Sequence, residues 1–514
     1  MKQKFLGSIV AATLLSTTVI ADDTLMQRFD KMEKEMAALK AEISSLKAEK
    51  AVSTQKTAVV SAPITDKTTI VSNDDISKEI DDIKDQISGL NKKTNGNHLK
   101  WDVDFRSSFD NLQYTMANGD KVKNDALLSN RLWLGMSYAA TKNLSFVGQL
   151  AYNKTFGERA KTPDGGIFDG FDWVSGESAH DDTLRVRSAY FFYTNDELAG
   201  LDIPWTISIG RRPSTEGHLI NLRDDDHASS PLAHTINVEF DGASAKFGMD
   251  ELTGLTGSYF KLCAGRGMSN AEPRFNSAPY ATSSDANTSN IDMAGIIIVP
   301  YDDKQYSTGL QYTYANNLID MVNPNDPTQG LQTVGGLHTA TAFAMVNGIG
   351  DGWSEFLDNT MFFVSGAMSK TDPYSNGNGG MLGSYENKTG YSYWIGTQFP
   401  SLISDEGRWG VEFNHGSEFW RPITYAEDTL IGSKIAARGD AYELYFTEPL
   451  VDDILTFQLR YTYINYDYSG SNGFFGSTSG MPLSMDQVRA MGAPMSGMVV
   501  DKAQDIRAYI RYKF

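Results

Sequence analysis

From Leu99 onward, apolar and polar residues alternate with a period of two. Leu99, Trp101, Val103 and Phe105 fall on one face, and Lys100, Asp102, Asp104 and Arg106 on the other. A transmembrane barrel strand needs this pattern, because one face meets lipid and the next meets water. It recurs at Leu132, Leu134, Met136 and Tyr138, at Leu184, Val186, Tyr190 and Phe192, and at Leu455, Phe457, Leu459, Tyr461 and Tyr463. The runs predict strands at 99–107, 130–140, 144–155, 183–194, 204–212, 235–248, 254–264, 292–299, 305–315, 336–346, 360–370, 389–399, 408–417, 437–447, 454–467 and 502–514. The expected fold class is all-β: a transmembrane antiparallel β-barrel of about 16 strands over 99–514.

The connections alternate in length, long at 108–129, 156–182 and 468–501, short at 141–143 and 448–453. Outer-membrane barrels combine long external loops with short periplasmic turns in this way. Residues 347–359 interrupt the alternation, which leaves about 14 or 18 strands open. A soluble β-sandwich shares the alternation of faces. Aromatics at the ends of runs, the loop asymmetry and the final strand argue against it. In that strand Ile506, Ala508, Ile510, Tyr512 and Phe514 face outward, and Arg507, Tyr509, Arg511 and Lys513 inward.

Before Leu99 the period changes. Leu25, Phe29, Met32, Met36, Leu39, Ile43 and Leu46 keep a 4-3 spacing, and Arg28/Glu33, Glu35/Lys40 and Glu42/Lys47 flank it, so an α-helical coiled coil is expected over 22–50. Residues 51–72, with Pro63, read as a linker. Asn73-Asp74-Asp75 then caps a second coiled coil, 73–93, with seam residues Ile76, Ile80, Ile83, Ile87 and Leu90. Isoleucine at both seam positions favours three or four strands over two, so a homotrimer is expected. Residues 1–21 read as a signal peptide, with Lys2 and Lys4 before the apolar stretch Ile9 to Ile20 and cleavage after Ala21.

Composition narrows the function. Residues 1–98 are balanced in charge, so the net −19 belongs to 99–514, where 31 bases face 50 acids. That balance disfavours nucleic acid and suits a surface among lipopolysaccharides and divalent cations. Cys263 is the only cysteine, which excludes an intramolecular disulfide and covalent c-type haem; it is expected to be a packed strand thiol.

A barrel this wide leaves an aqueous lumen. Parity places Arg106, Arg131, Arg185, Arg187, Arg212, Arg460, Arg507 and Arg511 on its wall, and guanidinium groups hold their charge at any ordinary pH. The connection 213–234 carries Glu216 and the run Asp224, Asp225 and Asp226, with His218, His227 and His234. General porins fold their third external loop into the pore. A similar placement here sets the acids against the arginines as a constriction; the alternative is a solvated surface loop. The histidine spacing fits no compact metal motif. No cofactor and no metal site is expected, since His-Glu-x-x-His, Walker and dinucleotide patterns are absent. Asn287, in Asp285-Ala-Asn287-Thr-Ser289, fits a bacterial glycosylation sequon.

Phe514, preceded by aromatics at alternate positions, resembles the assembly signal of bacterial outer-membrane proteins, which implies the barrel assembly machinery as a partner. Arg185-Val-Arg187-Ser-Ala-Tyr190, Ile209-Gly210-Arg211-Arg212-Pro213, Phe240-Asp241-Gly242 and Asn414-His415-Gly416-Ser417 resemble an uncharacterised porin-like family of Campylobacterota. The last motif also resembles, loosely, the His-x-Ser arrangement of outer-membrane phospholipase, although Glu418-Phe419-Trp420 replaces that family's following segment. The leading expectation is a non-enzymatic trimeric porin for small hydrophilic solutes, in outer-membrane lipid with its stalk in the periplasm and long loops outside. The alternative is a structural or adhesive protein that tethers the envelope.

Overall fold

The computed structural model describes residues 99–156, 184–212, 214–269, 271–272, 281–282, 290–321, 331–350, 352–375, 380–424, 427–470 and 481–514. The expected signal peptide, both coiled coils, the linker and Asn287 lie outside the described residues.

Sixteen antiparallel strands form a closed barrel. They are β1 Leu99–Met116, β2 Lys121–Ala139, β3 Leu144–Thr155, β4 Arg185–Asn195, β5 Trp205–Arg212, β6 Phe240–Gly248, β7 Tyr259–Met268 and β8 Ile291–Asp302. The second half comprises β9 Tyr306–Met321, β10 Leu331–Asn347, β11 Met361–Pro373, β12 Thr389–Pro400, β13 Arg408–Gly416, β14 Gly439–Val451, β15 Leu455–Tyr466 and β16 Val500–Lys513. Each lies where the alternation predicts one. The seam joins β16 to β1, with Asp104 opposite Lys513 and Thr115 opposite Lys502.

Burial is inverted relative to a water-soluble protein. Phe109, Ile209, Leu262, Leu310, Val364, Tyr442 and Ile506 are exposed on the outer face, while Asp110, Ser365, Glu443, Arg460, Thr462 and Asp505 are buried inside. A soluble sandwich would bury the first set; a barrel whose outer face meets hydrocarbon exposes it. In β16, Ile506, Ile510 and Tyr512 are exposed and Arg507, Tyr509 and Arg511 buried, the division of faces read from the sequence.

Three details differ from the sequence reading. β1 and β2 run on to Met116 and Lys121, so most of the expected loop 108–129 is a paired hairpin. Its distal part carries Asn111, Gln113 and Thr115 on the outer face and Leu112 and Tyr114 on the inner one, because β1, at 18 residues, outruns the roughly 10 needed to cross a bilayer. In β4, Leu150 pairs with Val186 but Gln149 with Ser188, leaving Arg187 as a bulge. The extra residue reverses parity beyond it. Tyr190 therefore lies on the lumen face beside Arg212, and Phe191 is exposed outside. The connection 348–360 is a true one, holding a short helix at Glu355–Asp358 capped by Ser354, and does not conceal a misplaced strand pair.

Candidate functional site

The lumen is occupied by two connections that turn inward from the long-loop end: 214–239, after β5, and 417–438, after β13. Their backbones meet in a short parallel pairing, Ile236 with Ile423 and Asn237 with Thr424. Apolar residues explain why they leave water. Leu219, Ile220, Leu232 and Ile435 are buried with Phe343, Phe363 and Trp394 from the strands. Trp420 is fully buried and its indole donates to the Ile435 carbonyl at 2.7 Å.

Two strand glycines admit the second loop. A Cβ on Gly390 would lie 2.3 Å from the Phe419 and Trp420 backbone, and one on Gly416 would lie 2.0 Å from the Ala437 carbonyl oxygen. Gly390→Ala is expected to weaken seating of 417–438 by about 1–3 kcal/mol, through overpacking. Faster proteolysis within that loop, with the barrel still resistant, is the readout; an unchanged rate would show that the backbone shifts freely.

Polar strand residues grip the first loop along its length. Gln311 accepts from the Leu232 amide at 2.7 Å, Gln398 donates to the Leu222 carbonyl at 2.6 Å, and Gln458 to the Arg223 carbonyl at 3.1 Å. His234 sits between the Ser365 and Ser392 hydroxyls at 2.8 and 2.9 Å. Burial depresses its pKa to about 3, and that of His218 to about 4, so both rings are neutral at pH 7. His218 packs edge-on to Phe343, and His227 is exposed. Among the described residues no cluster of three metal-ligating side chains occurs.

The sequence-derived acids meet the sequence-derived arginines directly. Glu216 pairs with Arg187 at 3.2 Å and Arg131 at 3.7 Å. Asp224 accepts the Tyr509 hydroxyl at 2.6 Å, Asp226 pairs with Arg511 at 3.0 Å and also with Lys513, and Asp225 pairs with Arg408 at 2.6 Å. Burial pushes the Glu216 carboxyl up. Asp224 lies well below the carboxylate range because Arg223, Arg460 and Arg511 outweigh the effect of burial.

Further carboxylates, not among the site residues expected from the sequence, complete the pairing. Asp428 binds Arg106 through both oxygens and also pairs with Arg507 at 3.2 Å and Arg460 at 3.7 Å. Those guanidinium groups, Arg106 foremost, hold Asp428 far below its usual range against burial. Burial raises Glu427. Glu443 pairs with Arg223 at 3.0 Å and Lys434 at 2.5 Å, and Lys434 reaches Glu412 at 2.6 Å. Asp104 serves Arg131 and Arg511, Asp110 serves Arg507, and Glu239 serves Arg187. Arg131 and Arg187 also stack on Trp133 at 3.5 and 4.0 Å. The arginine ladder is thus not a bare positive wall. Parity could have revealed Asp104, Asp110, Glu412 and Glu443, which lie inward on strands; Asp428 carries no such signal.

Two predicted arginines lie elsewhere on the wall. Arg185 is half-buried opposite Ala151, and Arg212 lies over the Tyr190 ring at 4.7 Å. The His-x-Ser motif is divided. His415 bonds Asp440 at 2.8 Å, whereas the Ser417 hydroxyl accepts from the Tyr391 amide at 2.9 Å. Cys263 is half-buried and lines a small lumenal cavity of about 60 Å³.

One family profile matches residues 121–514. The chain belongs to the DUF3373 family of proteins of unknown function. A search of curated proteins found no match to this DUF3373 chain. Similar solved structures include Salmonella typhi OmpF in complex with daunomycin, at 12% identity over 81% of this chain and 98% of that one, with a TM-score of 0.43. Pseudomonas putida OprB in its high-pH structure is similar at 13% identity, 83% and 97% coverage and a TM-score of 0.43. In-vitro folded OmpT, an outer membrane protein of Vibrio cholerae, is similar at 10% identity, 81% and 97% coverage and a TM-score of 0.41.

Proposed function

We propose that this DUF3373 protein is a non-enzymatic outer-membrane porin that passes small hydrophilic solutes or ions by diffusion. The observation that carries the reading is the inverted burial of the closed barrel: apolar residues outward, charged and hydroxyl residues inward. A wall of that kind belongs between lipid and water. In this reading the two inward loops constrict the passage, with Glu216, Asp224, Asp225 and Asp226 set against the lumenal arginines. The long loops face outside, the coiled coils form a periplasmic stalk of a homotrimer, and the final strand engages the assembly machinery.

Planar-bilayer recording of the purified full-length protein tests it. Discrete conductance steps are expected. A folded, heat-modifiable barrel with no steps would sink the porin reading and favour an envelope tether, a role that the densely paired lumen also suits. Dimers in analytical ultracentrifugation would remove the trimer.

A further inference from the structure

Three lumenal cations depart from the pairing found elsewhere in the barrel. Arg212 on β5, Lys246 on β6 and Lys261 on β7 project inward, and among the described residues none has a carboxylate within ion-pair distance. Lys246 and Lys261 are direct cross-strand partners. Like charges in that position destabilise a sheet unless something compensates them. Their nearest partners hold charge without forming an ion pair with it. The Lys246 ammonium lies 3.9 Å over the Tyr259 ring, the Arg212 guanidinium lies over Tyr190, and Lys261 donates to the Ser230 hydroxyl.

All three line one cavity of about 480 Å³ with Ser229, Ser230 and Tyr259. Lys304 and Asp302 line it as well, so four cations face one carboxylate and the lining is net positive. At about 30 Å³ per water, the space admits a small anion with part of its hydration shell. Hydroxyl and ammonium donors in a partly dehydrated, positive cleft concentrate anions by about tenfold or more.

We propose that the Arg212, Lys246 and Lys261 cavity is an anion site of the lumen, taking small inorganic anions and carboxylates. Resting on the porin reading, it also makes the passage anion-selective. Glu216, Asp224, Asp225 and Asp226 do not oppose this, because each is paired with an arginine outside this cavity.

Cys263, on the same strand as Lys261, provides a native reporter. Arg212, Ser230 and Lys261 line both its cavity and the larger one. In the full-length protein, a sulfonate-bearing methanethiosulfonate is expected to label Cys263 about tenfold faster than a trimethylammonium analogue at low salt, each rate normalised to a free thiol. Lys246→Gln with Lys261→Gln should cut that preference about threefold or more, with heat-modifiability confirming a folded barrel. Equal rates, or no labelling by either reagent, overturn the site. In bilayers under a KCl gradient the reversal potential should report anion preference, lost in the double variant. Conductance without anion preference refutes the selectivity while sparing the porin reading; absent conductance refutes the porin, and labelling still decides the site.

Discussion

Asp428→Asn is expected to open the lumen. Arg106, Arg460 and Arg507 are nearly fully buried around that one carboxylate, and Arg106 has no other carboxylate partner among the described residues. Removing one partner from a buried pair leaves an uncompensated charge, at a cost of about 3–5 kcal/mol. The barrel wall does not depend on this loop, so the strain is relieved by releasing 417–438 and admitting water to the guanidinium groups. Single-channel conductance should rise several-fold while heat-modifiability persists. Unchanged conductance, with 417–438 still protected from protease, would show that Asp110 and Glu443 alone satisfy this cluster.

Acidification should release the other loop over a different range. His218 and His234 have an ordinary pKa of 6.5, held in place at about 4 and about 3 by burial. The released loop therefore binds more protons below pH 6.5. Seating is fully favourable above that value and weakens as pH falls, by about 1.4 kcal/mol per unit for each ring, until each folded value is reached. Around His234 the neighbours are Ser365, Ser392, Asn414, Trp394 and Trp420, none of which carries charge. Glu216 acts with opposite sign, since its raised value favours the seated form on acidification. Asp224, depressed, begins to matter only below the ordinary carboxylate range. Conductance is expected to climb between pH 6.5 and 4, less steeply in His234→Gln. A flat profile in the native protein would mean that the rings remain buried in both states.

The wall was readable from sequence because each strand divides two solvents, and a side-chain period of two records that division locally. Ile506 to Phe514 shows it without ambiguity. The bulge at Arg187 left no trace, since Val186 and Tyr190 remain an even number apart although they face opposite sides. Parity and the acidic run of 213–234 also indicated the lumenal arginines and some of their partners, but not Asp428. Arg106 and Asp428 are 322 positions apart, and no local pattern links them. One signal went unused. Trp420, Ile423, Ile431 and Ile435 are too apolar for a solvated connection, and that excess marks 417–438 as a buried one.

The position of Asp428 bears on how the molecule is assembled. Its ligands Arg106 and Arg507 belong to the first and last strands, and Asp110 to Arg507 and Asp104 to Arg511 span the same junction. While those two edges are apart, the guanidinium receptor for Asp428 exists only as separate halves, although the glycine floor for 417–438 on β12 and β13 is already present. The Asp428 end of the loop is therefore expected to lock only once the cylinder has closed, so that the stopper also reports the finished seam.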